Sequence, residues 1–180
     1  MNKREAREIF RDIRSGLSGS ITRNIFSWDL YKRCESILCF VSFGSEIDTR
    51  EVIKKSIAKG KKVAVPFIKN KKGDMVFIEI SSLKELEKNE IGILEPKYEE
   101  SKIFVPNKRS IIIVPGLIYD TDFYRIGYGG GYYDRYLASN EFLCSVGVCF
   151  EKQIVNTLPR DDYDMSVDYI ATEDRIIRRF

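Results

Sequence analysis

The feature that most limits what this chain can fold into is a series of short, unbroken apolar runs, Ile37-Leu38-Cys39-Phe40-Val41, Val63-Ala64-Val65-Pro66 and Ile111 to Val114, with a further strand readable at Leu143 to Val148. Runs of strand length without polar alternation suit strands covered on both faces, the condition of a parallel sheet packed between helices. After the first run, Asp48 or Thr49 can cap a helix through Ile53 and Ile57, and Gly60 can end it. Strand, helix and strand in that order predict a right-handed βαβ unit. Met75 to Ile80 and Val167 to Ala171 read as further strands, Lys69 to Asp74 as an exposed turn, and Lys84 to Lys108 as a polar connection with few core signals. The expectation is one α/β domain over residues 1–180 with a mainly parallel sheet.

Ahead of these strands, Ala6, Ile9, Phe10, Ile13 and Leu17 recur at helical spacing, and Asn2 with Glu5 fits a capping box. A second helix is expected from about Ile21 to Cys34, with Ser27-Trp28-Asp29 as a point of interruption.

Charge and composition exclude several classes of function. Thirty basic against twenty-seven acidic side chains leave a formal charge of +3, too little for a nucleic-acid coat or a membrane-surface protein. Cys34, Cys39, Cys144 and Cys149 lie in apolar stretches without a C-x-x-C pair and read as reduced core residues. There is no histidine, which sets aside serine-histidine hydrolysis and most zinc catalysis. The opening residues carry no apolar signal core and no run is long enough to span a bilayer, so a cytoplasmic protein is expected.

The stretch Arg125-Ile126-Gly127-Tyr128-Gly129-Gly130-Gly131-Tyr132-Tyr133-Asp134 carries the chemistry. Four glycines among five positions leave backbone amides open to a phosphate and permit the positive φ values that turn N–H groups into an anion nest. A helix starting near Gly131 would aim its dipole at the same anion. Arg125 suits phosphate oxygens, and Asp134 is a hard oxygen ligand for Mg²⁺. The pattern is neither G-x-G-x-x-G nor a Walker loop. A glycine turn with Tyr132, Tyr133 and Tyr136 packed behind it is the structural alternative.

This segment, with Pro115-Gly116-Leu117 and Asp120 before it, resembles the signature of the 5-formyltetrahydrofolate cyclo-ligase family, and the likeness covers nearly the whole chain. Lys3-Arg4-Glu5-Ala6-Arg7 is similar to the family's basic K-R-x-x-R helix start, which implies that Lys3, Arg4 and Arg7 bind ATP. Ser45-Glu46-Ile47-Asp48-Thr49 resembles the family's E-[IVP]-[DE]-T turn, implying a folate contact for Glu46, with Val41 upstream at an apolar folate-lining position. Leu158 to Asp164 and Val167 to Glu173 look like L-P-x-E-x-H-D followed by V-D-x-x-x-T-E, and by this resemblance Asp168 joins Asp134 at magnesium. Asp161 stands for the usual glutamate, and Tyr163 for a histidine whose titration near neutrality a tyrosine does not share.

The resemblance implies a three-layer α/β/α sandwich like that of sugar-phosphate isomerases and CoA transferases. It also implies ATP- and Mg²⁺-dependent closure of 5-formyltetrahydrofolate by a monomer. Arg125, Gly127, Gly129, Gly130, Gly131 and Tyr133 would hold the nucleotide; Tyr128, Gly129, Gly130, Gly131 and Tyr132 would meet the folate; Arg125, Tyr132 and Tyr133 would be catalytic. Two rivals stay open on this fold: an RNA-binding module using the basic tail Arg175, Arg178 and Arg179, and a phosphosugar isomerase or deaminase.

Overall fold

The structure, a computed structural model, describes residues 2–70 and 74–179. Positions 71 to 73 of the turn expected at Lys69 to Asp74 lie outside the described residues. The helices are α1 (Lys3–Ser15), α2 (Thr22–Ser27), α3 (Asp29–Arg33), α4 (Arg50–Ala58) and α5 (Tyr132–Ser139). The strands are β1 (Ser36–Cys39), β2 (Lys62–Ile68), β3 (Met75–Ile80), β4 (Glu87–Lys88), β5 (Leu94–Glu95) and β6 (Ser110–Pro115), then β7 (Ile118–Asp120), β8 (Arg125–Ile126), β9 (Cys144–Val148), β10 (Ile154–Val155), β11 (Tyr169–Ala171) and β12 (Ile176–Arg178).

Every unbroken apolar run became a strand of one seven-stranded sheet in the order β12-β11-β9-β6-β1-β2-β3. Its five inner strands are parallel, and β12 and β3 close the edges antiparallel. Side chains alternate between the two faces. Ile37, Cys39, Ile111, Ile113 and Val146 pack with Ile25, Tyr31, Val52 and Ile53 of α2, α3 and α4. Leu38, Ala64, Ile112 and Val114 pack on the other face with Tyr119 and with Leu137 of α5. The result is helix, sheet and helix in three layers. Each buried isoleucine or leucine in it contributes roughly 1.5–3 kcal/mol by leaving water.

The capping box forms as expected: Asn2 Oδ1 accepts from the amides of Arg4 and Glu5, and the Asn2 amide donates to Glu5 Oε2 at 3.0 Å. The apolar stripe of α1 differs from the expected one. Ala6 and Phe10 are buried against Ile118 and Ile126 of the small β10-β7-β8 sheet and against Leu158 in the loop after β10, while Ile9 and Ile13 are exposed. The third buried position of that stripe is Arg14. The second helix is broken in two by an extended Trp28 (φ −76°, ψ 132°). The capping role divides as well: Asp48 Oδ1 takes the Arg50 amide, while Thr49 Oγ1 donates to Phe40 O. Gly60, with φ +77°, follows the end of α4. No described helix is long and apolar enough to cross a membrane.

From β1 the chain moves outward to β2 and β3, then returns to the other side of β1 for β6, β9 and β11. The strand order therefore reverses between β1 and β6. In open α/β sheets such a reversal leaves a crevice at the carboxyl ends of the two strands, where their connections diverge.

Candidate active site

A cavity of about 890 Å³ lies at that reversal, lined by Phe40 and Val41 leaving β1 and by Pro115 ending β6. Its second wall is α1, which contributes Lys3, Arg7, Arg11 and Arg14. These residues follow one another at intervals of four, four and three, so they stand in a row along one helix face. A third wall comes from the connection that looked featureless in sequence: Ile91, Ile93 and Leu94, in and beside the β4–β5 hairpin, face the same space.

The glycine loop closes the cavity between β8 and α5. Gly127, Gly129, Gly130 and Gly131 all line it. Gly129 (φ +101°) and Gly131 (φ +64°) take conformations that side-chain-bearing residues avoid. The loop then feeds directly into α5 at Tyr132, so the first amides of that helix, which have no partner within it, begin at the cavity. Arg7 Nε donates to Gly127 O at 2.8 Å, tying α1 to the loop.

Four acidic side chains stand around this basic wall, each already facing a cation. Arg125, 8% exposed, puts Nη2 3.1 Å from Asp134 Oδ1 and donates through Nη1 to Met165 O. Asp134 Oδ1 also accepts the Met165 amide. Lys3 Nζ lies 2.7 Å from Asp161 Oδ2 and 2.5 Å from Asp164 Oδ2. Burial alone would lower the Lys3 pKa; hydrogen bonds to the two carboxylates outweigh it, and the net shift is upward.

On the side of β1, Glu46 Oε1 accepts from Tyr128 Oη at 2.6 Å and Glu46 Oε2 from the Phe43 amide at 2.9 Å. Burial and the neighbouring Glu46 charge push the Tyr128 phenol up to about 12, so it keeps its proton. Tyr132 and Tyr133 line the cavity too, and the Tyr133 hydroxyl is buried with no hydrogen-bond partner among the described residues. Burial pushes that phenol well above its usual value.

A family model described as the 5-formyltetrahydrofolate cyclo-ligase family matches residues 3–173. The chain belongs to the 5-formyltetrahydrofolate cyclo-ligase family. It is 28% identical over 173 residues to a probable 5-formyltetrahydrofolate cyclo-ligase of Schizosaccharomyces pombe, covering 88% of this chain and 85% of the relative. It is 28% identical over 144 residues to the 5-formyltetrahydrofolate cyclo-ligase of Escherichia coli, covering 78% of this chain and 79% of that one. The solved structure of Aquifex aeolicus 5,10-methenyltetrahydrofolate synthetase superposes with a TM-score of 0.82 at 28% identity, covering 99% of this chain and 93% of that one.

Of the residues that the cyclo-ligase resemblance singled out, Lys3, Arg7, Val41, Glu46, Arg125, the loop from Gly127 to Gly131, Tyr132, Tyr133 and Asp134 all line one cavity. Two do not. Arg4 points away on the outer face of α1, its side chain 88% exposed and paired with Glu8. Asp168 is held at the opposite, amino-terminal edge of the sheet, where its Oδ2 accepts the amide and hydroxyl of Ser145 at 2.8 Å, near the start of β9. Asp168 therefore does not line the cavity with Asp134; the carboxylates that do are Glu46, Glu95, Asp161 and Asp164. Asp164 closes the Leu158 to Asp164 motif, where it was visible but given no role. Arg14 and Ile91 carried no signal in the sequence that set them apart from a helix face and a loop.

Two of the three tail arginines have protein partners. Arg175 donates to Glu151 through Nε at 3.0 Å and Nη2 at 2.5 Å, and Arg179 donates to Ser166 Oγ. All four cysteines are buried and free, as their apolar surroundings implied.

Proposed function

We propose that this protein closes 5-formyltetrahydrofolate to 5,10-methenyltetrahydrofolate using Mg-ATP, with release of ADP and phosphate. The observation that carries the reading is a single cavity with two chemistries. Lys3, Arg7, Arg125 and the bare glycine backbone offer a triphosphate its cations and amides, while Phe40, Val41 and Ile91 with Glu46 offer a flat heterocycle an apolar slot and an acceptor.

A formyl oxygen on nitrogen is a poor leaving group. Attack of that oxygen on the γ-phosphorus of ATP expels ADP and converts it into a phosphate ester. The second folate nitrogen then adds to the formyl carbon, and the C–O bond breaks to release phosphate and leave the methenyl bridge. The proton of that nitrogen is lost in the same stage. Such a transfer asks the protein for alignment and charge neutralisation rather than a covalent nucleophile.

Arg7 and Arg125 hold phosphate oxygens, and the amides at the start of α5 hold the remainder. Tyr133, whose buried hydroxyl has no partner among the described residues, supplies a hydrogen bond to the oxygen in transfer. Tyr132 and Tyr128 border the pterin, and Glu46 accepts from its N–H groups. Asp134 and Asp164 fit a magnesium ion, which takes one or two protein carboxylates and completes its shell with phosphate oxygens and water. Bound there, it would neutralise charge on the β- and γ-phosphates.

The test is direct. Purified protein mixed with 5-formyltetrahydrofolate, ATP and Mg²⁺ should develop methenyl absorbance, with one ADP per methenyl product and no signal when either ATP or Mg²⁺ is omitted. Folded protein that gives no absorbance change with all components present would overturn the proposal.

A further inference from the structure

We infer that Arg14 is a positioning residue that fixes the folate-side carboxylate, Glu46, and ties it to the glycine loop through Tyr128. The inference rests on the cyclo-ligase reading of the cavity and adds to it a residue that touches neither phosphate nor reacting atoms.

Arg14 occupies the third buried position of a stripe whose first two members are Ala6 and Phe10. Packing alone would put an apolar residue there, because a guanidinium stripped of water must recover its hydration from protein partners. Arg14 is 6% exposed and has such partners. Its Nε donates to Ser45 Oγ at 3.1 Å, its Nη1 donates to Tyr128 Oη at 2.8 Å, and the same nitrogen lies 3.9 Å from Glu46 Oε1. Tyr128 passes the link on by donating to Glu46 Oε1. The Phe43 amide holds the other oxygen.

Three segments distant in sequence are thus joined at the cavity wall: α1, the turn after β1, and the tip of the glycine loop. Both Glu46 oxygens are oriented by protein donors, and each keeps a lone pair for a ligand. A planar heterocycle presenting adjacent N–H donors is read well only by a carboxylate whose plane is held still. Removing the guanidinium leaves Tyr128 and Glu46 joined to each other but anchored to nothing in α1. The phosphate side is spared, since Lys3, Arg7 and Arg125 find their partners elsewhere.

The experiment compares the full-length wild-type chain with Arg14→Met, Arg14→Lys and Ser45→Ala, reading KM for 5-formyltetrahydrofolate and for ATP separately, together with the thermal midpoint. Arg14→Met should raise the folate KM by about tenfold or more while the ATP KM stays within about twofold. Arg14→Lys, which keeps the charge and one donor, should recover part of that loss. Ser45→Ala should raise the folate KM by about two- to threefold, and it remains informative if Arg14→Met does not fold. An unchanged folate KM in a folded Arg14→Met or Ser45→Ala protein, or equal rises in both KM values, would overturn the inference while leaving the cyclo-ligase reading intact. Wild-type protein without turnover would instead remove the reading itself, and the inference with it.

Discussion

Lys3 Nζ sits 2.5 Å from Asp164 Oδ2, so the first residue of the first helix and a loop near the end of the chain meet at one wall of the cavity. A cation at a helix amino terminus opposes the helix dipole. Here Asp161 and Asp164 offset that opposition, and they bring two carboxylates to the rim where a metal–phosphate complex would bind.

This relationship separates two candidate metal ligands. Asp164→Asn should lower turnover by about 100-fold or more and raise the Mg²⁺ concentration needed for half-maximal rate. Asp168→Asn, made at the far edge of the sheet, should leave the Mg²⁺ dependence unchanged. Titrating Mg²⁺ into both variants checks the assignment, and the reverse pattern would restore Asp168.

The pair between Arg125 and Asp134 should behave as machinery before scaffold. Arg125→Ala and Asp134→Ala are each expected to abolish ATP-dependent methenyl formation, by about 100-fold or more, in protein that stays folded. The stability loss should be on the order of 1–3 kcal/mol, since each change strands a charged partner that is partly shielded from water. Circular dichroism melts beside the absorbance assay would separate the two effects. Retained turnover in either variant would contradict these roles.

Within the glycine loop the positions should not be equivalent. A Cβ on Gly130 would fall 2.3 Å from the Tyr132 ring, whereas one on Gly127 would meet nothing within 4 Å. Gly130→Ala should therefore displace Tyr132 and raise KM for both substrates, while Gly127→Ala should be milder in both. Steady-state kinetics on the two alanine variants test the ranking, and equal defects would refute it.

The pH response follows from what is missing and what is buried. No histidine is present, and burial raises all four cysteine thiols above their usual range. Few side chains therefore titrate between about pH 6 and 7.5, where the denaturant midpoint should be flat; above about pH 8 the unfolded chain releases thiol protons that the folded chain retains, so stability should begin to fall. Tyr128 is raised to about 12 in the folded protein. Above about pH 10 the unfolded chain releases phenolic protons that the folded chain retains, so stability should fall as pH rises through that window. Denaturation curves across the alkaline range check the sign, and stability rising above pH 10 would show it to be wrong.

Local pattern alone determined where six of the seven main-sheet strands lie, because apolar runs such as Ile111 to Val114 have nowhere to go but a doubly covered sheet; the edge strand β12 and the short strands outside that sheet carried no such run. It likewise determined the start of α1, through the contact of Asn2 with Glu5, and the phosphate-ready backbone at Gly127 to Gly131, because caps and glycine turns depend on neighbours a few residues away. Tertiary structure alone decided which carboxylates face the cavity. Pairing of β11 with β9 in the register Tyr169 to Val146 delivers Asp168 to Ser145, and the loop before it brings Asp164 to Lys3. It also decided that Arg14, spaced like a core residue, would be buried as a charge, since its partners Ser45 and Tyr128 lie 31 and 114 residues away. Spacing along one element records which face a residue shares; what that face meets is settled by strand order, and no single segment contains that information.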